Sequence, residues 1–181
     1  MAFKQSAMPA FDPSTFTLRR FDPASDLDLL DAITGLLHAA YRPLLEDGLK
    51  YLATHQTSDI TLDRLTAGES YLGFVGPDMV ATITLEPKIE KAECDWFRRP
   101  GVFKFAQFGV HPDHKGTGIG SHIMDRIEDR ARELGAAELA IDTSEHAHRL
   151  IDMYLRRGYR HVDEMDWAMT NYKSVVLSKT L

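Results

Sequence analysis

Val110 to Ser121 read V-H-P-D-H-K-G-T-G-I-G-S, and the reading of this stretch decides the fold. The residues before it, Val102 to Val110 with Phe103, Phe105 and Phe108, form an apolar run that reads as a buried strand. Pro112 ends the strand, because proline has no N–H with which to continue a ladder. Gly116, Gly118 and Gly120 then open a helix whose apolar residues Ile123, Ile127, Ala131 and Leu134 recur at helical spacing, and Gly135 closes it. Strand, glycine turn and helix N-terminus together aim unpaired backbone N–H groups and the positive end of a helix dipole at one spot. That spot suits an anion, with phosphate or pyrophosphate the usual guest.

Three kinds of glycine loop share this general form. A P-loop requires Lys followed by Ser or Thr after its last glycine, and none follows here. The dinucleotide fingerprint G-x-G-x-x-G is nearly met from Gly116, but Ser121 takes the place of its third glycine. Asp142 stands about where that fingerprint's ribose-binding acid belongs, yet the motif begins too late in 181 residues for a βαβαβ half to follow. The third form is [Q/R]-x-x-G-x-[G/A], here Lys115-Gly116-Thr117-Gly118-Ile119-Gly120, preceded by V-x-P. It resembles the acetyl-CoA pyrophosphate loop of the GCN5-related N-acetyltransferase (GNAT) superfamily.

The resemblance continues downstream, where Met153-Tyr154-Leu155-Arg156-Arg157-Gly158-Tyr159 follows a strand-like Leu139, Ile141, Thr143 alternation. Tyr154, Gly158 and Tyr159 fall on the Tyr, Gly and aromatic positions of the superfamily block N-x-x-A-x-x-L-Y-x-x-x-G-F. Ala147 and Leu150 depart from it at the Asn and Ala positions, so an amide that usually meets the pantetheine arm is missing. Lys115 replaces Gln or Arg, offering a point charge rather than a planar fork. The match is good over residues 70 to 181 and extends to the N-terminal third in outline.

The resemblance implies an α/β chain with the GNAT acyl-CoA N-acyltransferase fold, a mixed central sheet of about seven strands flanked by about four helices. Periodicity and punctuation give most of the same element order, β-α-α-β-β-β-α-β-α-β-β. Residues 1–14 read as a flexible N-terminal arm and 15–181 as a single domain, without repeat or linker. Thr15 to Arg19 alternates as a first strand, and Ser25 with Asp28 resembles a capping-box helix start. That helix buries Leu29, Ile33, Leu36, Leu37 and Ala40 and is expected to end at Pro43. A short helix spans Thr61 to Ala67, and Tyr71 to Val75 pairs with Met79 to Leu85 about the turn Gly76-Pro77-Asp78. Glu138 to Thr143, a helix ending at Arg157, and strands Arg160 to Ala168 and Ser174 to Leu177 complete the chain.

Composition sets the class. A 181-residue chain with 44% apolar residues can bury a full core. A net charge of −6 opposes general nucleic-acid or anionic-membrane binding and suits a cationic amine. One cysteine excludes an intrachain disulfide and fits a reducing compartment. No run approaches the ~18 apolar residues of a membrane span, and the start M-A-F-K-Q-S has no signal-peptide core, so a cytoplasmic location is expected.

The expected chemistry is direct acetyl transfer from acetyl-CoA to a primary amine, in a small molecule or a peptide. It needs a neutral amine, a stabilised oxyanion and a proton for the leaving thiolate. The resemblance assigns cofactor contacts to Lys115, Gly116, Thr117, Gly118, Ile119, Gly120 and Ser121. It also assigns the thioester carbonyl to a strand N–H in Phe108 to Val110, and the general acid to Tyr154. Gly109 would allow a bulge that splays two strands. Glu145, His146, His148, His111 and Glu86 are candidate bases, with Gln107 as an orienter of water. The pairs His146/His148 and His111/His114 lack the partners of a metal site, and none is expected. Cys94 has no partner histidine to make it an acyl carrier. In the long segment Glu86 to Gly101, Trp96, Phe97, Arg98 and Arg99 either cover a pocket, with an arginine on a substrate carboxylate, or cap the core or a homodimer contact. A CoA-binding sensor without turnover and a nicotinamide enzyme are the alternatives.

Overall fold

The computed structural model describes residues 11–87 and 94–181. Among them are seven strands and four helices: β1 (Phe16–Arg20), α1 (Leu30–Glu46), α2 (Ser58–Thr66), β2 (Glu69–Val75), β3 (Asp78–Glu86), β4 (Val102–Val110), α3 (Ile119–Glu133), β5 (Glu138–Ser144), α4 (His148–Arg156), β6 (Arg160–Asp166) and β7 (Lys173–Thr180). They form one sheet in the order β1-β2-β3-β4-β5-β7-β6. Every pair is antiparallel except β4–β5, which is parallel because α3 crosses over between them. The element order is the one expected from the sequence.

Alternation along the strands divides the core. Ile83, Leu85, Phe105, Leu139 and Ile141 pack against Ile123, Ile127 and Ala131 of α3 and Tyr154 of α4. On the other face, Ile33 and Leu37 of α1 and Leu65 of α2 cover Leu72 of β2. At the far end of that face, Cys94 and Phe97 cover Val102, Ala140, Met165 and Val176. Phe97 is therefore a core residue, and Arg99 lies over the Trp96 ring at 4.3 Å. The Cys94 thiol is buried, donates to Asp163 at 3.3 Å and has its pKa pushed up by that burial, which leaves it inert.

Several local expectations are corrected. α1 runs through Pro43 to Glu46, since a proline this near the C-terminus forfeits little of the helix ladder. No capping box forms at Ser25 and Asp28. Asp26 instead takes both Arg19 N–H groups (2.7 and 2.9 Å) and the Asp22 backbone N–H (2.9 Å). α2 begins three residues early at Ser58, capped by the Thr57 hydroxyl. Leu134 lies at the exposed end of α3 rather than in its buried stripe, β6 stops at Asp166, and β7 extends to Thr180. Residues 11–14, expected within the arm, are held: Phe11 N–H donates to the Thr117 carbonyl (3.1 Å), and its ring packs on Phe16 and His122. Residues 1–10 and 88–93 lie outside the described residues. No described helix is long and apolar enough to cross a membrane.

Glu69 fastens β2 to α3, accepting from Arg130 Nε at 2.8 Å and Nη2 at 3.0 Å. The Arg130 guanidinium holds its carboxyl down at about 2, from an ordinary 4.5. A depressed folded-state pKa gives stability that is full above about 4.5 and lost as pH falls toward 2. After solvent screening this amounts to about 1–2 kcal/mol. Urea unfolding between pH 5 and 2 should therefore lose stability less steeply in Glu69→Gln than in the native chain.

Candidate active site

β4 and β5 pair over only three positions, Val102↔Glu138, Phe103↔Leu139 and Lys104↔Ala140, and then part. The parting has a local cause in β4. Gln107 is the one described non-glycine residue with a positive φ (+49°), and the β3 register slips by one between Thr82 and Thr84 opposite it. One extra residue in β4 is a bulge, and a bulge bends its strand. The bulge sits at Gln107 and not at Gly109 as the sequence implied. Gly109 serves a close approach, since a Cβ there would lie 3.2 Å from Ala40 Cβ and 3.4 Å from Leu37 Cδ2 of α1.

Past the bulge the ladder to β3 resumes, with the His111 N–H on the Val80 carbonyl at 2.8 Å. Backbone N–H groups alternate between the two edges of a strand, so that of Val110 faces the edge that β5 has left. The glycine loop follows directly. Gly116 (φ +79°) and Gly118 (φ +108°) turn the chain into α3, and the first helical N–H to find its carbonyl is that of His122, on Gly118. Among the described residues, the N–H groups of Gly116, Thr117, Gly118, Ile119, Gly120 and Ser121 have no acceptor. Six orphan donors at the positive end of a fifteen-residue helix form an anion cradle. Lys115 does not point into it. Its ammonium donates to the Ala40 carbonyl (2.7 Å), a group in the turn that Pro43 disturbs, and burial pushes its pKa down.

The parted strands enclose a cavity of about 300 Å³. Its walls come from α1 (Tyr41), the α1–α2 connection (Tyr51, Leu52), α2 (Arg64), the end of β3 (Glu86), β4 (Lys104, Gln107, Phe108), β5 (Asp142, Thr143), α4 (Leu150, Tyr154) and the β6–β7 loop (Trp167, Met169, Tyr172). Asn171 ties that loop down by donating to the Gly48 carbonyl (2.8 Å) and accepting from the Lys50 N–H (2.9 Å). Tyr51 fixes the other side: its hydroxyl meets Thr143 Oγ1 (2.8 Å) and accepts from the Ser144 N–H (3.0 Å).

Two acid–base pairs line the cavity, and they differ. Lys104 lies 2.9 Å from Asp142 where the strands part, its ammonium set between the Phe97 and Trp167 rings (4.9 and 5.2 Å). Burial works against the Asp142 charge. Lys104, the Trp167 indole N–H and the Ser174 hydroxyl more than offset it and hold the carboxyl below its ordinary value. This partnership removes Asp142 from any role as a ribose ligand. Glu86 and Arg64 form no ion pair among the described residues. Burial raises the Glu86 carboxyl above 4.5 against the countering charges of Lys104 and Arg64, and it lowers the Arg64 guanidinium.

Tyr154 is 4% exposed, reaches the cavity and packs against Phe105 and Tyr159 (centroids 5.9 and 5.5 Å). Its hydroxyl makes no hydrogen bond among the described residues, and burial raises its pKa well above the phenol value, so it carries its proton at neutral pH. Of the five candidate bases, Glu86 alone lines the cavity, whereas His111, Glu145, His146 and His148 do not. Arg98 and Arg99 also lie outside its walls. The cavity's aromatic wall, Arg64 and the Lys104–Asp142 pair carried no signal in the sequence. They come from elements up to 131 residues apart, Tyr41 to Tyr172, and none recurs with a period. Among the described residues, no three His, Cys, Asp or Glu side chains are grouped to hold a metal ion.

Residues 30–159 match the family described as "Acetyltransferase (GNAT) family". The chain is 27% identical over 132 residues to S-(2-succino)cysteine N-acetyltransferase of Bacillus subtilis, covering 70% of this chain and 76% of the relative. It is 26% identical over 147 residues to S-alkylcysteine N-acetyltransferase of the same bacterium, covering 80% and 77%. A GNAT family acetyltransferase from Elizabethkingia anophelis with acetyl-CoA bound superposes with a TM-score of 0.65 at 14% identity, over 92% of this chain and 99% of that one. The PaiA N-acetyltransferase from Thermoplasma acidophilum, in complex with coenzyme A, superposes with a TM-score of 0.69 at 9% identity, over 92% and 99%. At such identities the two structures speak to the fold alone.

The glycines of the loop are separable by stability. A Cβ on Gly118 would combine a left-handed backbone with Phe11 Cβ at 3.2 Å, whereas on Gly120 it would meet only ordinary contacts at 3.6 and 3.8 Å. Gly118→Ala should cost about 1–2 kcal/mol, and Gly120→Ala, inside the helix, should gain up to about 1 kcal/mol. Denaturant unfolding of the two variants measures the difference.

Proposed function

The chain belongs to the GNAT acetyltransferase family, and from that premise we propose that it moves the acetyl group of acetyl-CoA to the primary amine of a small molecule, by direct transfer in the cleft between β4 and β5. One observation carries the reading. Past its parting from β5, β4 presents the outward N–H of Val110 and runs directly into the loop of orphan N–H groups, and Tyr154 lines the cavity between the parted strands. The Bacillus subtilis relatives, named as N-acetyltransferases of cysteine derivatives, favour a small acceptor over a peptide.

The roles follow from placement. The backbone of Gly116 to Ser121 grips the pyrophosphate, and this remote binding energy fixes the reacting end. When bound, acetyl-CoA supplies the acetyl thioester and a thiol leaving group. Val110 N–H is the donor for the carbonyl oxygen as it gains charge. Glu86 takes the proton that the acceptor ammonium must lose before its nitrogen can bond to the carbonyl carbon. Its raised pKa makes it a better base than an exposed carboxylate. As the C–S bond breaks, Tyr154 gives its proton to the sulfur, and the nitrogen gives up its second proton, which restores the phenol; amide and thiol leave neutral, and the one released proton passes from Glu86 to solvent. Burial makes the phenol a weaker acid, but it raises the basicity of the departing thiolate in the same dry cavity.

Replacing the hydroxyl alone tests the acid. Tyr154→Phe keeps the ring contacts and should leave the acetyl-CoA dissociation constant within about twofold while kcat falls about 10²-fold. Full turnover in this variant would remove Tyr154 from the chemistry. Glu86→Gln should lower kcat/KM by a similar factor. It should also abolish the acidic limb of the pH–rate profile, which in the native enzyme lies above the ordinary glutamate value because burial raises that pKa. Acetyl-CoA binding without transfer to any amine would leave a CoA-binding sensor.

A further inference from the structure

We infer that the acceptor is an α-amino acid with an uncharged side chain, its carboxylate received by Arg64 and Gln107. The inference deepens the proposed acetyl transfer and rests on it only for the identity of the amine as the reacting group. Gln56, almost fully buried, is the hub of the argument. Its Oε1 accepts from Arg64 Nη1 at 2.6 Å, and its Nε2 donates both to Thr61 Oγ1 (2.7 Å) and to Gln107 Oε1 (2.9 Å). These bonds fix the direction of every amide in the chain. Gln107 spends its oxygen on Gln56 and is left with its Nε2, buried and without an acceptor, in a side chain that is 2% exposed and lines the cavity.

A buried amide donor without a partner is costly, and a ligand that supplies an acceptor repays the cost. Arg64 lines the same cavity, and Gln56 is its only hydrogen-bond partner among the described residues. Two sets of donors held by one glutamine call for an acceptor-only group, and a planar carboxylate is the group a guanidinium matches best.

The cavity's charges point the same way. Among the described residues, Asp142 neutralises Lys104, which leaves one cation, Arg64, and one anion, Glu86, that do not pair with each other. An amino acid zwitterion complements both, with its carboxylate toward Arg64 and its ammonium toward Glu86. Tyr41, Tyr51, Trp167 and Met169 also line the cavity, and they offer a side chain aromatic faces and a thioether rather than a further charge. A thioether or aromatic side chain fits this wall, whereas a dicarboxylate would bring a second anion with no further unpaired cation among the described lining residues to meet it.

The test compares S-benzyl-L-cysteine with 2-(benzylthio)ethylamine, which lacks only the carboxylate, as acceptors for the native enzyme, Arg64→Ala and Gln107→Leu. Binding of N-acetyl-S-benzyl-L-cysteine and of its decarboxylated counterpart to the CoA-loaded protein is measured by calorimetry alongside. The native enzyme should prefer the amino acid by about 10²-fold or more in kcat/KM. Arg64→Ala should erase that preference by raising KM far more for the amino acid than for the amine. Gln107→Leu should reduce it in part. Equal use of the two acceptors by the native enzyme, equal loss for both in Arg64→Ala, or failure of the acetylated acid to bind would each overturn the inference. Carboxylate-dependent, Arg64-dependent binding without turnover would uphold the carboxylate site and overturn the transferase reading instead.

Discussion

The whole site depends on β4 keeping β5 as a neighbour for three residues and then losing it. A parallel pair continued to its end would have closed the sheet and buried the Val110 N–H in a ladder. The bulge at Gln107 prevents this by turning β4, at the cost of a left-handed backbone on a residue with a Cβ, about 1–2 kcal/mol. Such strain persists only where the surroundings enforce it. Here they do, because the Gln107 side chain is locked by Gln56, and Gln56 in turn by Thr61 and Arg64 of α2. The helix that lines the acceptor end of the cleft is thus the same one that holds the cleft open.

Order along β4 then sets the division of labour. Lys104, the last residue paired to β5, carries the ion pair with Asp142 that bridges the two strands at the base of the opening. Gln107 bends the strand, Gly109 lets α1 settle against it, and Val110 presents its N–H just before the loop that cradles an anion. Seven residues therefore run from the acceptor end of the cleft to the cofactor end. Because Lys115 is bonded to the Ala40 carbonyl, the glycine loop is also tied to α1, whose Tyr41 walls the acceptor cavity. Loop and cavity are two ends of one packed unit.

The legible parts of this chain were the local ones. Gly116, Gly118 and Gly120 after an apolar strand announced the cradle, since positive φ and close approach leave a mark on residue type. The spacing of Tyr154 to Gly158 and Tyr159 put the tyrosine on the helix that follows β5, and periodicity with punctuation found most of the element order. What escaped was set by tertiary contact. Pro43 reads as a helix stop, yet α1 passes through it to Glu46, because a proline within four residues of the helix end removes only one bond of the ladder. Gly109 reads as the natural bulge residue, but the bulge fell on Gln107, which only a partner 51 residues away holds in place. Arg98 and Arg99 were the arginines the sequence offered to a carboxylate, while the one at the cavity, Arg64, sat unremarked in a short polar helix.

The contrast between the two charge pairs gives the cavity its direction. Lys104 and Asp142 are joined at 2.9 Å, hydrogen-bonded further and flanked by aromatic rings, so they behave as a fixed part of the wall. A pair satisfied to that degree has little left to offer a ligand. Arg64 and Glu86 are held apart, each desolvated and each shifted by burial toward its neutral form, with only part of that shift offset by the other's charge. In a low-dielectric cavity that arrangement costs stability unless a guest brings both opposite charges. The proposed acceptor, a carboxylated amine, would do so, and in the proposed reaction the burial that raised Glu86 makes proton transfer from its ammonium easier. That transfer leaves a neutral nitrogen at the mouth of the cofactor cleft. The feature that makes the empty cavity unfavourable thus prepares the amine for attack.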